Sequence, residues 1–200
     1  MTKEATPCYT AIVSNAMPLL EPLPRQPFSK GLVELYTGTG KGKTTAALGV
    51  VLRAVAHGLR VHIVYFMKGD TRYGEQEILS RLPGVSFAKF GQPSFVDPKN
   101  VKEEEKEEAR RALAEARRAM LSGRYDLIVL DEVNVAAAWK LISVEEVLHL
   151  IRDKPEEVEL ILTGRYAPAE LVEAADLVTE MMEVKHPFQK GVMARPGIDY

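Results

Sequence analysis

Glycines stand at 38, 40 and 42 in the run Thr37-Gly38-Thr39-Gly40-Lys41-Gly42-Lys43-Thr44-Thr45, with a lysine and a hydroxyl residue directly behind the last. Glycines let successive backbone N–H groups turn toward one anion, and a helix starting at the lysine adds the positive end of its dipole. Lys43 would reach the outer phosphates of a polyphosphate, and the Thr44 hydroxyl would sit on Mg²⁺. The spacing departs from the usual phosphate-loop pattern at one place. A glycine is expected five residues before Gly42, where Thr37 stands, and it comes one residue later at Gly38. A second acidic element completes such a site: Asp131-Glu132 closes the apolar run Leu127-Ile128-Val129-Leu130. One of these carboxylates would hold Mg²⁺, and the other would bind metal or orient a nucleophile.

These groups need elements to position them. Leu32 to Tyr36 reads as a buried strand, and the alanine-rich stretch Ala46 to Val55 as the helix behind the loop. Further strands are expected at Val61–Met67, Val85–Phe90, Leu127–Leu130, Val158–Thr163 and Leu177–Val184. Between them, helices are expected at Glu75–Leu82, from Lys102 to Gly123, behind a Ser143/Glu146 capping box, and from Pro168. Asp97-Pro98 reads as a helix start. Apolar runs alternating with amphipathic helices specify an α/β fold, a parallel six-stranded sheet with helices on both faces. In such a sheet ligands gather at the carboxyl ends of the strands. That edge would bring Lys41, Lys43, Lys68 and Arg165 together with Asp131 and Glu132. The mixture suits a Mg-triphosphate.

The chain of 200 residues, 46% hydrophobic with a formal charge of −2, carries no electrostatic footprint for nucleic acid. No run approaches the roughly 20 apolar residues that span a bilayer. A single cysteine, Cys8, rules out a disulfide framework and points to a reducing cytoplasm. Prolines at 7, 18, 22, 24 and 27 mark residues 1–30 as an arm that forms neither helix nor central strand; residues 31–200 read as one domain. The arm either drapes the surface or folds over a site, in its own or a partner subunit. The four histidines show no metal-ligand spacing, and only His186 lies near a plausible site.

These residues leave kinase, ATPase and transferase open. The string from Thr37 to Ala47 resembles the ATP:cob(I)alamin (corrinoid) adenosyltransferases, as do Phe66-Met67-Lys68-Gly69, Gly74-Glu75, Leu130-Asp131-Glu132 and Thr163-Gly164-Arg165. So do Val184-Lys185-His186-Pro187-Phe188 and Gly197-Ile198-Asp199-Tyr200. The resemblance implies a RecA-like P-loop sheet, a homodimer, and transfer of the 5′-deoxyadenosyl group of ATP to the cobalt of a reduced corrinoid, with release of triphosphate. It implies Mg²⁺ on Thr44 and Glu132 with Asp131 as the second carboxylate, and leaving-group stabilisation by Lys43 and Lys41. Gly38 to Thr45, Lys68 and Arg165 then contact nucleotide. Where the family places a Phe-x-Trp pair against the corrinoid, this chain has Ser94-Phe95-Val96, so Phe95 is the expected wedge, with Trp139 as an alternative. A flavin-type reductase or a corrinoid-accepting enzyme fits as partner. Two rival readings are a RecA-like ATPase, in which Glu132 orients water, and a non-catalytic corrinoid or nucleotide carrier.

Overall fold

Six short apolar runs form the strands β1 (Val33–Thr37), β2 (Val61–Tyr65), β3 (Val85–Lys89), β4 (Leu127–Asp131), β5 (Glu159–Thr163) and β6 (Leu177–Glu180). The structure, a computed structural model, describes residues 23–69 and 73–199. The strands lie in the order β3-β2-β4-β5-β1-β6, and every neighbouring pair is parallel. All five residues of β2, β4 and β5 are buried, as central strands covered on both faces must be.

The period-2 alternation decides which layer each strand residue joins. Ile63, Tyr65, Leu127, Val129 and Ile161 pack with α1 (Lys43–Ala56) and with Leu79 of α2 (Gly74–Leu79). Val64, Ile128, Leu130, Leu160 and Leu162 pack on the other face. That face is covered by α3 (Glu103–Met120), α4 (Val133–Ala138), α5 (Val144–Arg152) and α6 (Ala169–Ala174). In α1 the buried stripe is Ala47, Val51 and Ala54, spaced for one helix face. In α3 it is mostly alanine, which lets the helix lie close on the sheet. The α5 stripe, Val147 and Leu150, sits behind a formed capping box in which Ser143 N donates to Glu146 Oε2 at 2.7 Å and Glu146 N to Ser143 Oγ at 3.2 Å. Truncating the fully buried Leu150 to alanine would cost about 2–5 kcal/mol through lost transfer energy and a cavity.

Two expectations are corrected. Asp97-Pro98 opens a turn, closed by Lys99 N on Asp97 Oδ1 at 3.0 Å and Asn100 N on Asp97 O at 3.0 Å, and α3 starts later behind Lys102. There Glu105 is tucked under the helix end, accepting from Lys102 N at 2.7 Å. The sixth strand ends at Glu180 instead of Val184, because the chain from Met181 crosses onto the glycine loop. Helix α4 was not anticipated; it follows Glu132 at once.

Residues 23–30 run along the edge opposite the strand ends that carry the site. Leu23 N donates to Ala56 O at 3.0 Å at the far end of α1, and Arg25 makes two hydrogen bonds, 3.0 and 2.6 Å, to Asp126 just before β4. Phe28 packs against the α1-side core. The remainder of the expected arm, Cys8 included, lies outside the described residues.

Candidate functional site

Strand β1 ends at Thr37, and the loop to Lys43 turns through two left-handed glycines, Gly38 at φ 96° and Gly42 at φ 119°. A side chain at Gly42 would strain that backbone. Gly40, and Gly38 in addition to its backbone, are glycine for a second reason. A Cβ at Gly38 would stand 2.4 Å from Met181 O, and one at Gly40 would stand 2.7 Å from the carbonyl oxygens of Met181 and Met182. The segment leaving β6 lies directly on the loop. It also takes the Gly40 amide, which donates to Met181 O at 2.6 Å and so faces the protein rather than an anion. Thr37, standing where the usual pattern has glycine, accepts from Ala167 N on its hydroxyl at 3.3 Å.

Lys43 is buried and folds back over its own loop, donating to Gly38 O at 2.8 Å and Gly40 O at 2.6 Å. Burial lowers its pKa and so does nearby Arg165, while Glu132 and Asp131 pull the other way. Among the described residues its ammonium has only carbonyl partners, so an incoming anion would gain a charge-assisted contact at little rearrangement.

Asp131 is the hub. Its Oδ1 accepts from Thr44 Oγ1 at 2.8 Å and from Thr163 Oγ1 at 2.8 Å, tying the start of α1, the end of β4 and the end of β5 into one knot. Its Oδ2 faces the Lys68 ammonium at 2.6 Å, off the line of a good hydrogen bond, so that contact is chiefly charge pairing. Burial works most strongly against the Lys68 ammonium, but the pull of Asp131, with Tyr73 and Glu132 adding to it, together holds the lysine pKa above its ordinary value. Lys68 also lies over the rings of Tyr65 and Tyr73, 5.0 and 4.5 Å from their centroids.

Glu132 follows with φ 67°, a left-handed conformation that costs a non-glycine residue about 1–3 kcal/mol and is characteristic of functional positions. Its amide donates to Thr163 Oγ1 at 3.0 Å, and Asn134 Nδ2 bridges Tyr36 O and Gly164 O at 3.3 Å each, which holds the turn. Burial raises the Glu132 pKa, and the Asp131 charge raises it further. Two adjacent carboxylates, one of them resisting ionisation, form a place that gains from a cation. Among the described residues no three His, Cys, Asp or Glu side chains make a metal cage. The donor set of one hydroxyl and one or two carboxylates fits Mg²⁺, which prefers to keep waters and phosphate oxygens as its other ligands.

Glu132, Arg165, Lys41, Lys43 and Thr44 line one cavity of about 710 Å³. The segment after β6 supplies its remaining wall, with Met182, Val184, Phe188 and Asp199 among the lining residues. A second, more apolar cavity of about 540 Å³ lies alongside, bounded by Thr44, Leu48, Leu52, Lys68, Ile78 and Ile198.

Most of the expected site residues therefore converge; Lys41 reaches the cavity but is engaged by another partner, and Phe95 lies apart. Lys41, expected on the polyphosphate, is held instead by the Asp199 carboxylate and by Ile198 O at 2.6 Å, because the segment after β6 returns to the loop. Phe95, expected against a corrinoid, is fully exposed on the loop after β3 and lines neither cavity. Trp139 packs against the α3-side core. His186 lines the larger cavity as expected and accepts from Phe188 N at 3.2 Å. What the motif reading missed as a wall is the stretch 181–199; its signals were the Lys-His-Pro-Phe and Gly-Ile-Asp-Tyr strings.

A family model described as ATP:corrinoid adenosyltransferase BtuR/CobO/CobP matches residues 29–200. Among similar proteins, the corrinoid adenosyltransferase of Escherichia coli is 37% identical over 171 residues, covering 86% of each chain. That of a Sinorhizobium species is 36% identical over 174 residues, 86% of this chain and 81% of the relative. The corrinoid adenosyltransferase CobA of Salmonella typhimurium is 35% identical over 171 residues, again 86% of each.

Proposed function

Because the chain belongs to the ATP:corrinoid adenosyltransferase family, we propose that it transfers the 5′-deoxyadenosyl group of ATP to the cobalt of a reduced corrinoid at the cavity between the glycine loop and the segment after β6. The observation that carries this reading is the knot at Asp131. Thr44, Thr163 and Lys68 meet on one carboxylate, with Glu132 and Lys43 beside it, at the edge where β1, β4 and β5 end.

The chemistry asks little acid–base work of the protein. Co(I) supplies both electrons of the new cobalt–carbon bond, the C5′–oxygen bond breaks, and triphosphate leaves with that bond's electron pair. The corrinoid carries the difficult step, and the protein orients the reactants and stabilises the charge that builds on the leaving group. Lys43 is the group for that task; it already sits over the loop carbonyls with its ammonium ready to exchange them for phosphate oxygens. Thr44 and Glu132, with Asp131 steadying Thr44, are the residues that would hold Mg²⁺, whose chemistry is to neutralise phosphate charge. Gly38, Thr39, Gly42 and Thr45 complete the phosphate contacts, with Arg165 at the rim. Lys68 pairs its ammonium with the Asp131 carboxylate at 2.6 Å. Residues 182–199 wall one side of the cavity, which would limit the water that consumes Co(I).

The same reading takes residues 31–200 as one catalytic domain preceded by an arm, a homodimer as the working form, and a flavin-type reductase or a corrinoid-accepting enzyme as partner in the cytoplasm. No helix among the described residues is long and apolar enough to cross a membrane.

The test is product identification under strict anaerobiosis with Mg²⁺, ATP and chemically reduced corrinoid. The cobalt–carbon spectrum should appear with one triphosphate per corrinoid alkylated. ADP and phosphate without an alkylated corrinoid would overturn the reading in favour of an ATPase, and tight binding without turnover would make the chain a carrier.

A further inference from the structure

The segment after β6 is joined to the glycine loop at both of its ends. At the near end Met181 N donates to Thr37 O at 2.9 Å, Gly40 N to Met181 O at 2.6 Å, and Glu183 N to Thr39 Oγ1 at 3.4 Å. The chain then runs out through a 3₁₀ turn, Pro187–Lys190, and comes back. It closes in a second turn where Ile198 N and Asp199 N donate to Arg195 O at 3.2 and 2.8 Å. Inside that turn Asp199 Oδ2 accepts from Arg195 N at 2.9 Å and from Arg195 Nε at 3.2 Å. The other carboxylate oxygen, Oδ1, takes the Lys41 ammonium, which also donates to Ile198 O at 2.6 Å. Loop and segment thus make a closed ring around the 710 Å³ cavity, with Lys41 and Asp199 as its clasp.

We propose that Asp199 is a positioning residue which, through Lys41, fixes the 181–199 segment as the wall of the nucleotide cavity, so that Lys41 holds this wall and does not contact the departing polyphosphate. The proposal rests on the reading of this cavity as the ATP site. Three features favour it. Asp199 has a donor on each oxygen, so its carboxylate is committed on both sides. Two of the three Lys41 donor positions are taken by one turn. That turn also lies between the two cavities: Asp199 lines both, and Ile198 lines the apolar one. Opening the clasp would therefore loosen the nucleotide wall and the neighbouring apolar pocket together, while leaving Lys43, Thr44 and Asp131 in place.

The experiment uses the full chain with Asp199→Asn, Asp199→Glu, Lys41→Met, the double variant Asp199→Asn/Lys41→Met and the charge exchange Lys41→Asp/Asp199→Lys. Mg-ATP affinity is measured by calorimetry and KM and kcat by the anaerobic assay. Asp199→Asn and Lys41→Met should each weaken ATP binding about three- to ten-fold with kcat changed far less, since ground-state positioning is lost rather than transition-state charge stabilisation. The double variant should be no worse than either single one, because both break the same contact. Asp199→Glu should recover most of the affinity, whereas the charge exchange should not, since a lysine at 199 cannot accept from Arg195 N and an aspartate at 41 would face Ile198 O. Trypsin should cut after Lys185 and Lys190 faster in Asp199→Asn than in the parent, which reports the wall itself. A fall in kcat for Lys41→Met that Asp199→Asn does not share would overturn the proposal and return Lys41 to the leaving group. So would tighter ATP binding in Asp199→Asn, which would mark Asp199 as a stand-in anion displaced by nucleotide. Calorimetry and proteolysis need no corrinoid, so they decide the clasp even if no cobalt–carbon product forms; absence of any ATP binding by the parent chain would instead sink the reading on which the proposal rests.

Discussion

Replacing Asp131 with asparagine removes one charge and changes almost no shape, yet the surroundings leave the amide no good orientation. Two hydroxyls, Thr44 and Thr163, donate to Oδ1 at 2.8 Å, so the amide oxygen must stay there. Its NH₂ then takes the place of Oδ2, 2.6 Å from the Lys68 ammonium, donor against donor. Lys68 is 11% exposed and Asp131 1%, so water cannot relieve the conflict. Removing one partner of a buried pair typically costs about 3–5 kcal/mol. At 2–4 °C per kcal/mol for a chain of this size, Asp131→Asn should melt about 6–20 °C lower without nucleotide. Turnover should fall about 10–100-fold as well, because Thr44 loses the anion that orients its hydroxyl. The second step separates the two effects. Adding Lys68→Met to Asp131→Asn removes the orphaned charge and should recover most of the melting temperature but not the turnover. A loss under about 1 kcal/mol for the single variant, or no thermal recovery in the double, would show that the pair is not buried and coupled as described.

Glu132→Gln keeps the fold and should weaken Mg²⁺-dependent ATP binding about 10–100-fold in a metal titration, while metal-free nucleotide binding changes little. Gly40→Ala places a Cβ 2.7 Å from two backbone oxygens of Met181 and Met182, so the 181–183 segment must move; hydrogen exchange should show its amides opening, with ATP affinity reduced. Asp126 gives a pH signature. Burial alone would raise its carboxyl, but the hydrogen bonds from Arg25 and Arg60 outweigh burial and hold it at about 2. A depressed carboxyl stabilises the fold above its unfolded value, near 4, and that stability is lost as pH falls through the folded value. Denaturant melts should therefore weaken between about pH 4 and pH 2 in the parent, and less steeply in Arg25→Ala.

The sheet was legible because β2, β4 and β5 are apolar at nearly every position, a composition that only a doubly covered parallel strand requires. Helices with a stripe and a cap were legible for the same kind of reason, as Ser143 and Glu146 show at α5. Helix α4 was not, because Val133-Asn134-Val135-Ala136-Ala137-Ala138 has almost no polar face; it is buried nearly all round and carries no amphipathic period. Asp97-Pro98 misled because an aspartate before proline serves a turn as well as a helix start, and only the backbone hydrogen bond chooses. The end of β6 was overextended because Met181, Met182 and Val184 are apolar for another purpose: two of them, Met182 and Val184, line the cavity.

At the site, spacing along the chain foretold which residues meet but not what each of them touches. Lys43, Thr44, Asp131 and Glu132 meet as expected because a glycine loop after β1 and an acidic pair ending β4 converge at the same sheet edge. Lys41 was read as a phosphate ligand because it sits in the same loop, yet its partner lies 158 residues further on, in a contact no local pattern encodes. The glycines show the same limit from the other side. Gly42 is glycine for its left-handed backbone, Gly40 because the main chain of Met181 and Met182 hems it in, and Gly38 for both reasons. The glycine-rich loop in this protein therefore has one face closed by its own chain. The shifted first glycine follows from that closed face: the glycine has to stand where Met181 passes, and Thr37, freed from the pattern, spends its hydroxyl on the turn at Ala167.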